Sequence, residues 1–209
     1  MEKSKVKMTA QKVIELFTRH DGVLKSAEAF NAGVHPATLY KLRDQGKIEA
    51  LGRGLYKIKN LKLQTDEDYL QVSKRFPAAI TCLVSALYIH ELTTQIPRSI
   101  HLAIPKGTHQ PNVAAPACTF FIMSEETFSA GVEERKFQGV HLRIYDAEKT
   151  VVDCFKFRSR IGVDVAVEAL KNWHERRQKK ISKLLHYAKI CRVEKIMGPY
   201  LEGVRRFNL

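Results

Sequence analysis

Apolar positions in the first sixty residues recur three times at helical spacing and then switch to short strand runs. Residues 8–20 read as an amphipathic helix carrying Val13, Ile14, Leu16 and Phe17, with Thr9 able to cap it and Asp21-Gly22 ending it. Residues 24–30 form a short helical run, with Leu24, Ala27 and Phe30 at a spacing of three, that ends at Asn31-Ala32-Gly33. Gly33 supplies the positive φ that a sharp turn into another helix requires. Pro36 suits the first position of that next helix, and Val34 and Leu39 flank its start at the spacing of a hydrophobic staple. Leu39 and Leu42 point inward, which leaves Ala37, Thr38, Tyr40, Lys41 and Asp44 mostly outward, and Gly46 ends the helix. IEALGRGLYKI then reads as two short strands around a Gly52-Arg53-Gly54 tip. Helix, turn, helix and basic hairpin is the layout of a winged helix-turn-helix, whose second helix fits the DNA major groove.

Beyond residue 60 the pattern mixes both periods. Residues 59–63 read as a connector, 65–76 as a helix with acids in its first turn, and 82–92 as a buried helix holding Ser85 and His90 as satisfied polar residues. SIHLAI, residues 99–104, alternates strictly and reads as a strand; 106–117 is a Pro/Ala-rich loop. Further strands are expected at 119–123 and 140–145, with a short helix at 125–130 between them. Asp146 can cap a helix with Val151, Val152 and Phe155 inside, Gly162 breaks it, and Asp164 can start the next. From Lys171 onward a long basic helical region is expected, with Ile181, Leu184, Leu185 and Ile190 packing. Because strands and helices do not alternate as repeated βαβ units, the expected class is α+β. It comprises a winged helix-turn-helix at 1–60 and, at 61–209, an α+β domain with a mainly antiparallel sheet and carboxy-terminal helices.

Charge adds a functional bias. The net charge of +13 is uneven: +6 over residues 1–60, −2 over 61–155 and +9 over 156–209. Two basic ends favour a polyanion through counterion release, without saying which one. Lys3, Lys5 and Lys7 form a basic arm ahead of the first helix. No apolar run approaches the ~20 residues needed to cross a bilayer, and the amino terminus lacks a secretory apolar core, so a cytoplasmic location is expected. Cys82, Cys118, Cys154 and Cys191 are evenly spread with no C-x-x-C pair, and are expected as reduced, mostly buried thiols with no metal.

Catalytic signals are sparse. Asp146, Glu148 and Asp153 fall where a helix start favours carboxylates, and the E-x-K of Glu134-Arg135-Lys136 lacks a preceding Pro-Asp. No Gly-rich phosphate loop, H-E-x-x-H, G-x-S-x-G or nucleotidyltransferase Gly-Ser signature is present. Neither an enzyme nor a cofactor is expected.

Two stretches carry a family resemblance. The winged unit ending GRGLYKI resembles the amino-terminal domain of the AbiEi antitoxins, and DAEKTVVDCFKFRSRIGVDVAVEAL is similar to their hallmark segment. Lys149, Thr150, Asp153, Phe155, Gly162, Asp164, Glu168 and Leu170 match that hallmark and read mostly as caps, a helix break and packing. The resemblance implies the antitoxin of a type IV, AbiE-like system, a class tied to abortive infection of phage-attacked cells. It implies an autorepressor that binds inverted repeats at its own promoter. It further implies a carboxy-terminal domain that counters a nucleotidyltransferase-like toxin without a stable complex.

The DNA-binding residues expected are His35, Ala37, Thr38, Tyr40, Lys41, Arg43 and Arg53. Ala37, Thr38 and Lys41 are placed nearest base edges, Tyr40 and Arg43 on phosphates, and Arg53 in the minor groove or on the backbone. Lys171, Arg176, Arg177, Lys179, Lys180 and Lys183 form a second basic surface. It could serve antitoxin action, further DNA contacts or RNA, or be a solvated helix face. The alternatives to an antitoxin-repressor are a protein that shields a toxin's tRNA substrate and a generic winged-helix regulator. With no long heptad present, a monomer pairing on adjacent repeats is expected on DNA.

Overall fold

The computed structural model describes residues 8–60, 66–111, 113, 115–137 and 139–206. The basic arm at Lys3, Lys5 and Lys7 and most of the 59–63 connector lie outside them. The chain divides into two units, Met1–Lys74 and Arg75–Leu209.

In the first unit, helix α1 (Ala10–Arg19) begins at Thr9, whose hydroxyl accepts from the Lys12 N–H. Strand β1 (Val23–Lys25) follows, then α2 (Ser26–Asn31) and α3 (Pro36–Asp44). Strands β2 (Ile48–Gly52) and β3 (Leu55–Ile58) form the hairpin, and α4 (Glu67–Arg75) closes the unit, its last residue opening the second. The sheet order is β1-β3-β2, antiparallel throughout. One expectation changes here: Leu24 is not helical. Residues 23–25 extend because they pair with β3, Leu24 opposite Tyr56 and Lys25 opposite Leu55. That pairing ties the wing to the helical layer, and the Ser26 N–H donates to the Gly54 carbonyl at 2.8 Å beside it. Val13, Phe17, Leu24, Ala29, Val34, Leu39, Leu42, Ile48 and Tyr56 form the core. Every strand and each of the first three helices supplies at least one of them. Lys57 on β3 reaches Glu49 on β2 at 3.2 Å and Glu67 on α4 at 2.7 Å, which fastens α4 to the hairpin.

The second unit is built on a five-stranded sheet of order β6-β5-β4-β8-β7. Its elements are β4 (Ile80–Thr81), α5 (Leu83–Ile89), β5 (Ile100–Pro105), β6 (Cys118–Met123), α6 (Glu125–Ser129), β7 (Val132–Phe137), β8 (Val140–Tyr145), α7 (Ala147–Lys156), α8 (Arg158–Ile161), α9 (Val163–Glu175), α10 (Ile181–Ile190) and α11 (Glu194–Arg206). The two helices that interrupt the strands, α5 and α6, do not join parallel neighbouring strands as βαβ units would, and α7 to α11 all follow the last strand, so the class is α+β. The sheet, however, is evenly mixed rather than mainly antiparallel. β4–β5 and β7–β8 run antiparallel, whereas β5–β6 and β4–β8 run parallel. Residues 106–117 are long enough to carry the chain back across the sheet edge, which a parallel β5–β6 pair requires and a tight hairpin forbids. Strands β4 and β7 carry no local strand signal in the sequence. β4 has only two residues, and VEERKF shows no apolar alternation because it is a charged edge strand.

Helix α7 lies at the centre of this unit, with residues 148–155 buried all round. Its polar side chains are therefore matched internally, as burial demands. Lys149 and Asp153, both with no solvent exposure, pair at 2.6 Å. The Lys149 ammonium also sits 4.1 Å from the centre of the Tyr145 ring, and Asp153 accepts from the Cys191 thiol. Thr150 donates to the Tyr145 carbonyl at 3.2 Å. Gly162 ends α8 with φ +96°, and a Cβ there would lie 2.3 Å from the Asp164 carboxylate. Glu168 accepts from Thr93, and Leu170 is buried. The hallmark residues hold the unit together.

Candidate nucleic-acid interface

The exposed face of α3 is set up by its first turn. His35 is the N-cap, and its Nδ1 accepts from the Ala37 N–H at 3.2 Å. A neutral ring accepting at Nδ1 carries its proton on Nε2, so His35 keeps a donor for an outside partner. Pro36 takes the first helical position, where no N–H is needed. Val34 and Leu39 are both buried at the staple positions. Leu39 and Leu42 pin α3 to the core, and the rest of the helix turns outward.

His35, Ala37, Thr38 and Lys41 line one groove of about 550 Å³ along that outward face. The spacing explains it: positions 37, 38 and 41 share one side of the helix, opposite Leu39, with Thr38 half-buried where that side meets Leu42. Ala10, Leu42, Gln45 and Lys47 complete the groove. Gln45 and Lys47 carry no periodic signal in the sequence, because they lie past the last apolar position of α3. Tyr40 and Arg43 stand to the side of the groove. Tyr40 is 42% exposed, with the Arg43 guanidinium 5.2 Å from its ring centre. Arg43 also pairs with Asp44 at 2.8 Å. Both partners are exposed, so that pair holds Arg43 only loosely and a phosphate can displace it. Arg53 is exposed at the tip of the hairpin, between Gly52 and Gly54. Gly54 has φ +71°, which the two-residue turn needs, and the bulge at Ala50 and Gly52 adds twist to the wing.

The second basic group is less continuous than expected. Residues 176–180 do not continue a helix: α9 stops at Glu175, and Arg176 is extended. Arg176, Arg177, Lys179 and Lys180 within one stretch would place like charges three and four apart on a helix face, which opposes helix formation. Glu148, at the start of α7, accepts from both the Trp173 indole and the Lys180 backbone N–H, each at 3.1 Å, which fixes the turn. Arg176, Lys180 and Lys183 meet in a polar cleft. Lys171 lies elsewhere, beside Val167, Tyr200 and Val204, and Lys179 donates to the His174 carbonyl. Arg177 is exposed.

Among the described residues no group of three or more His, Cys, Asp or Glu is arranged to hold a metal ion. Cys82, Cys118, Cys154 and Cys191 form no disulfide; three are buried and Cys118 is half-buried. No helix among the described residues is long and apolar enough to cross a membrane. Glu134-Arg135-Lys136 is exposed on the edge strand β7.

Residues 11–58 match the sequence model of the family described as "Transcriptional regulator, AbiEi antitoxin". The matched stretch runs from α1 to the end of the wing, so the AbiEi resemblance holds over the winged segment. No curated protein matches the chain. Among solved structures the chain is similar to the RV2827C protein from Mycobacterium tuberculosis. That match has a TM-score of 0.60 at 13% identity and covers 86% of this chain and 71% of that one. At this identity the likeness is one of fold.

Proposed function

We propose that the protein is a DNA-binding transcriptional autorepressor and the antitoxin of an AbiE-like toxin–antitoxin system. The observation that carries this reading is the outward face of α3. Lys41, Thr38, Ala37 and His35 form one groove, and Arg53 tips the hairpin that follows, both within the stretch that matches the antitoxin regulator family. In this reading α3 lies in the major groove. Thr38 and Lys41 offer hydrogen-bonding groups to base edges, and Ala37 offers a methyl to thymine. His35 donates from Nε2, Tyr40 and Arg43 hold the backbone, and Arg53 reaches the minor groove or a phosphate. Gln45 and Lys47 extend the contact past the end of the helix. The operator is a pair of inverted repeats at the protein's own promoter. The second unit opposes a nucleotidyltransferase-like toxin without a stable complex, and the protein acts without catalysis of its own.

A promoter–reporter fusion carrying the protein's own upstream DNA tests this. Supplying the chain in trans should silence the reporter, and Lys41→Ala and Arg53→Ala should each restore expression at equal protein level. A single bidentate base contact is worth ~1–3 kcal/mol of discrimination, so one substitution suffices for a visible change. Full silencing by the Lys41→Ala, Arg53→Ala double variant would contradict the assignment of this face.

A further inference from the structure

We infer that the second unit carries a binding cleft for a phosphoryl group, formed where the edge strand β7 faces the start of α7 and the 176–183 segment. The cleft is small, about 220 Å³, below the ~300 Å³ at which pockets for drug-sized ligands begin. Four cations line it: Arg135, Arg176, Lys180 and Lys183.

Surrounding bonds hold two of these donors in place, Arg135 through His90 and Lys183 through Asp146. His90 is neutral in a defined tautomer. Its Nε2 lies 2.7 Å from the Tyr145 carbonyl, an acceptor only, so Nε2 carries the proton and Nδ1 is free to accept. Nδ1 accepts from the Arg135 guanidinium at 2.9 Å, which positions Arg135 while leaving its other N–H groups unused by that bond. Burial, helped by Arg135 and Arg176, lowers the His90 pKa, in keeping with a neutral ring.

Three carboxylates share the lining, and two are already committed. Asp146 caps α7 through the Lys149 N–H at 2.8 Å, and accepts from Lys183 at 2.6 Å and the Tyr187 hydroxyl at 2.9 Å. Glu148 accepts from Trp173 and from the Lys180 backbone. Among the described residues the Arg176 guanidinium and the Lys180 ammonium make no hydrogen bond or ion pair, and neither does the carboxylate of Glu133. Donor-only groups with charge to spare, in a space too small for a bulky apolar ligand, suit a tetrahedral phosphoryl anion. Glu133 opposes it. Partial desolvation and the nearby Asp146 push the Glu133 pKa up, against the pull of Arg135 and Lys183.

A phosphoryl group could come from a free phosphoester or from a nucleic-acid backbone, and titration separates the two. Isothermal titration calorimetry of the full chain with inorganic pyrophosphate at low ionic strength should show saturable binding. Arg176→Ala and Lys180→Ala, both on a surface segment, should each weaken it about tenfold. Glu133→Gln should tighten it, an outcome that misfolding cannot mimic. Lys189→Ala, on an exposed position of α10 outside the cleft, should leave it unchanged. Competition by single-stranded RNA that Arg176→Ala abolishes would assign the phosphoryl group to a nucleic-acid backbone. Pyrophosphate binding that RNA does not disturb would assign it to a small phosphoester. No pyrophosphate binding, or binding indifferent to both Arg176→Ala and Glu133→Gln, would overturn the inference.

Discussion

Replacing Lys149 with Met would leave the Asp153 carboxylate in the middle of the second unit with only the Cys191 thiol as a partner. Both side chains are fully buried, their charged atoms are 2.6 Å apart, and the Lys149 ammonium also rests on the Tyr145 ring. Removing one member of such a pair costs ~3–5 kcal/mol, because the remaining charge is neither solvated nor matched. Against a total stability of ~5–15 kcal/mol for a typical domain, that is a large fraction. Burial already pushes the Asp153 pKa up while Lys149 holds it down. Without Lys149 it rises further, so the deficit should be full at neutral pH and shrink as pH falls toward the unfolded carboxylate's ~4. Replacing both partners with apolar side chains, Lys149→Met with Asp153→Leu, removes the unmatched charge and should recover most of the loss. Urea denaturation read by the fluorescence of Trp173, the protein's one tryptophan and a buried member of this core, reports on the correct unit. A Lys149→Met variant within about 1 kcal/mol of the parent would refute the reasoning. So would a double variant less stable than either single one.

Three further outcomes follow from particular contacts. His101 on β5 packs against Phe121 with its Nδ1 unpartnered, and burial followed by the charge of Arg160 lowers its pKa to about 4. The folded state therefore resists a proton that the unfolded chain takes up near pH 6.5. Up to about 3 kcal/mol of stability should be lost between pH 6.5 and 4, and His101→Phe should flatten that part of a thermal-denaturation profile. Gly162→Ala imposes a positive φ on a β-carbon and drives it to 2.3 Å from Asp164. A loss of ~1–3 kcal/mol is expected from the backbone alone, and Asp164→Ala should relieve the clash but not the backbone strain, as urea titration would show. Arg53→Ala should weaken operator binding and make its salt dependence shallower; if affinity and slope both stay unchanged, the wing tip makes no phosphate contact.

The elements legible in the sequence are those whose signals are local. Helix α1 shows its cap at Thr9, α3 shows Pro36 and the Val34–Leu39 staple, and the wing shows its Gly-Arg-Gly tip. Elements made by distant pairing were hidden. Residues 23–25 look like the start of a helix until β3 pairs with them. Ile80 and Thr81 become a strand only between β5 and β8. Strand direction in the second sheet was equally hidden, since nothing local tells a returning strand from a crossing one. The candidate interface on α3 was legible because helical spacing sets Ala37, Thr38 and Lys41 on one side of the helix and Leu39 on the other, with Leu42 at the groove's edge. The cleft of the second unit was not. Its cations come from β7 and from the 176–183 segment, some forty residues apart in the chain, and only tertiary packing brings Arg135 to Arg176.

Fluorescence anisotropy with the protein's own upstream duplex against a scrambled duplex, across a salt series, tests the central claim most directly. The account predicts tight, sequence-selective binding. If about six phosphates are neutralised, log K should fall against log salt with a slope near −5, and Thr38→Ala with Lys41→Ala should erase the selectivity while leaving a salt-dependent residue. Equal binding to both duplexes, or an affinity that salt does not change, would contradict it.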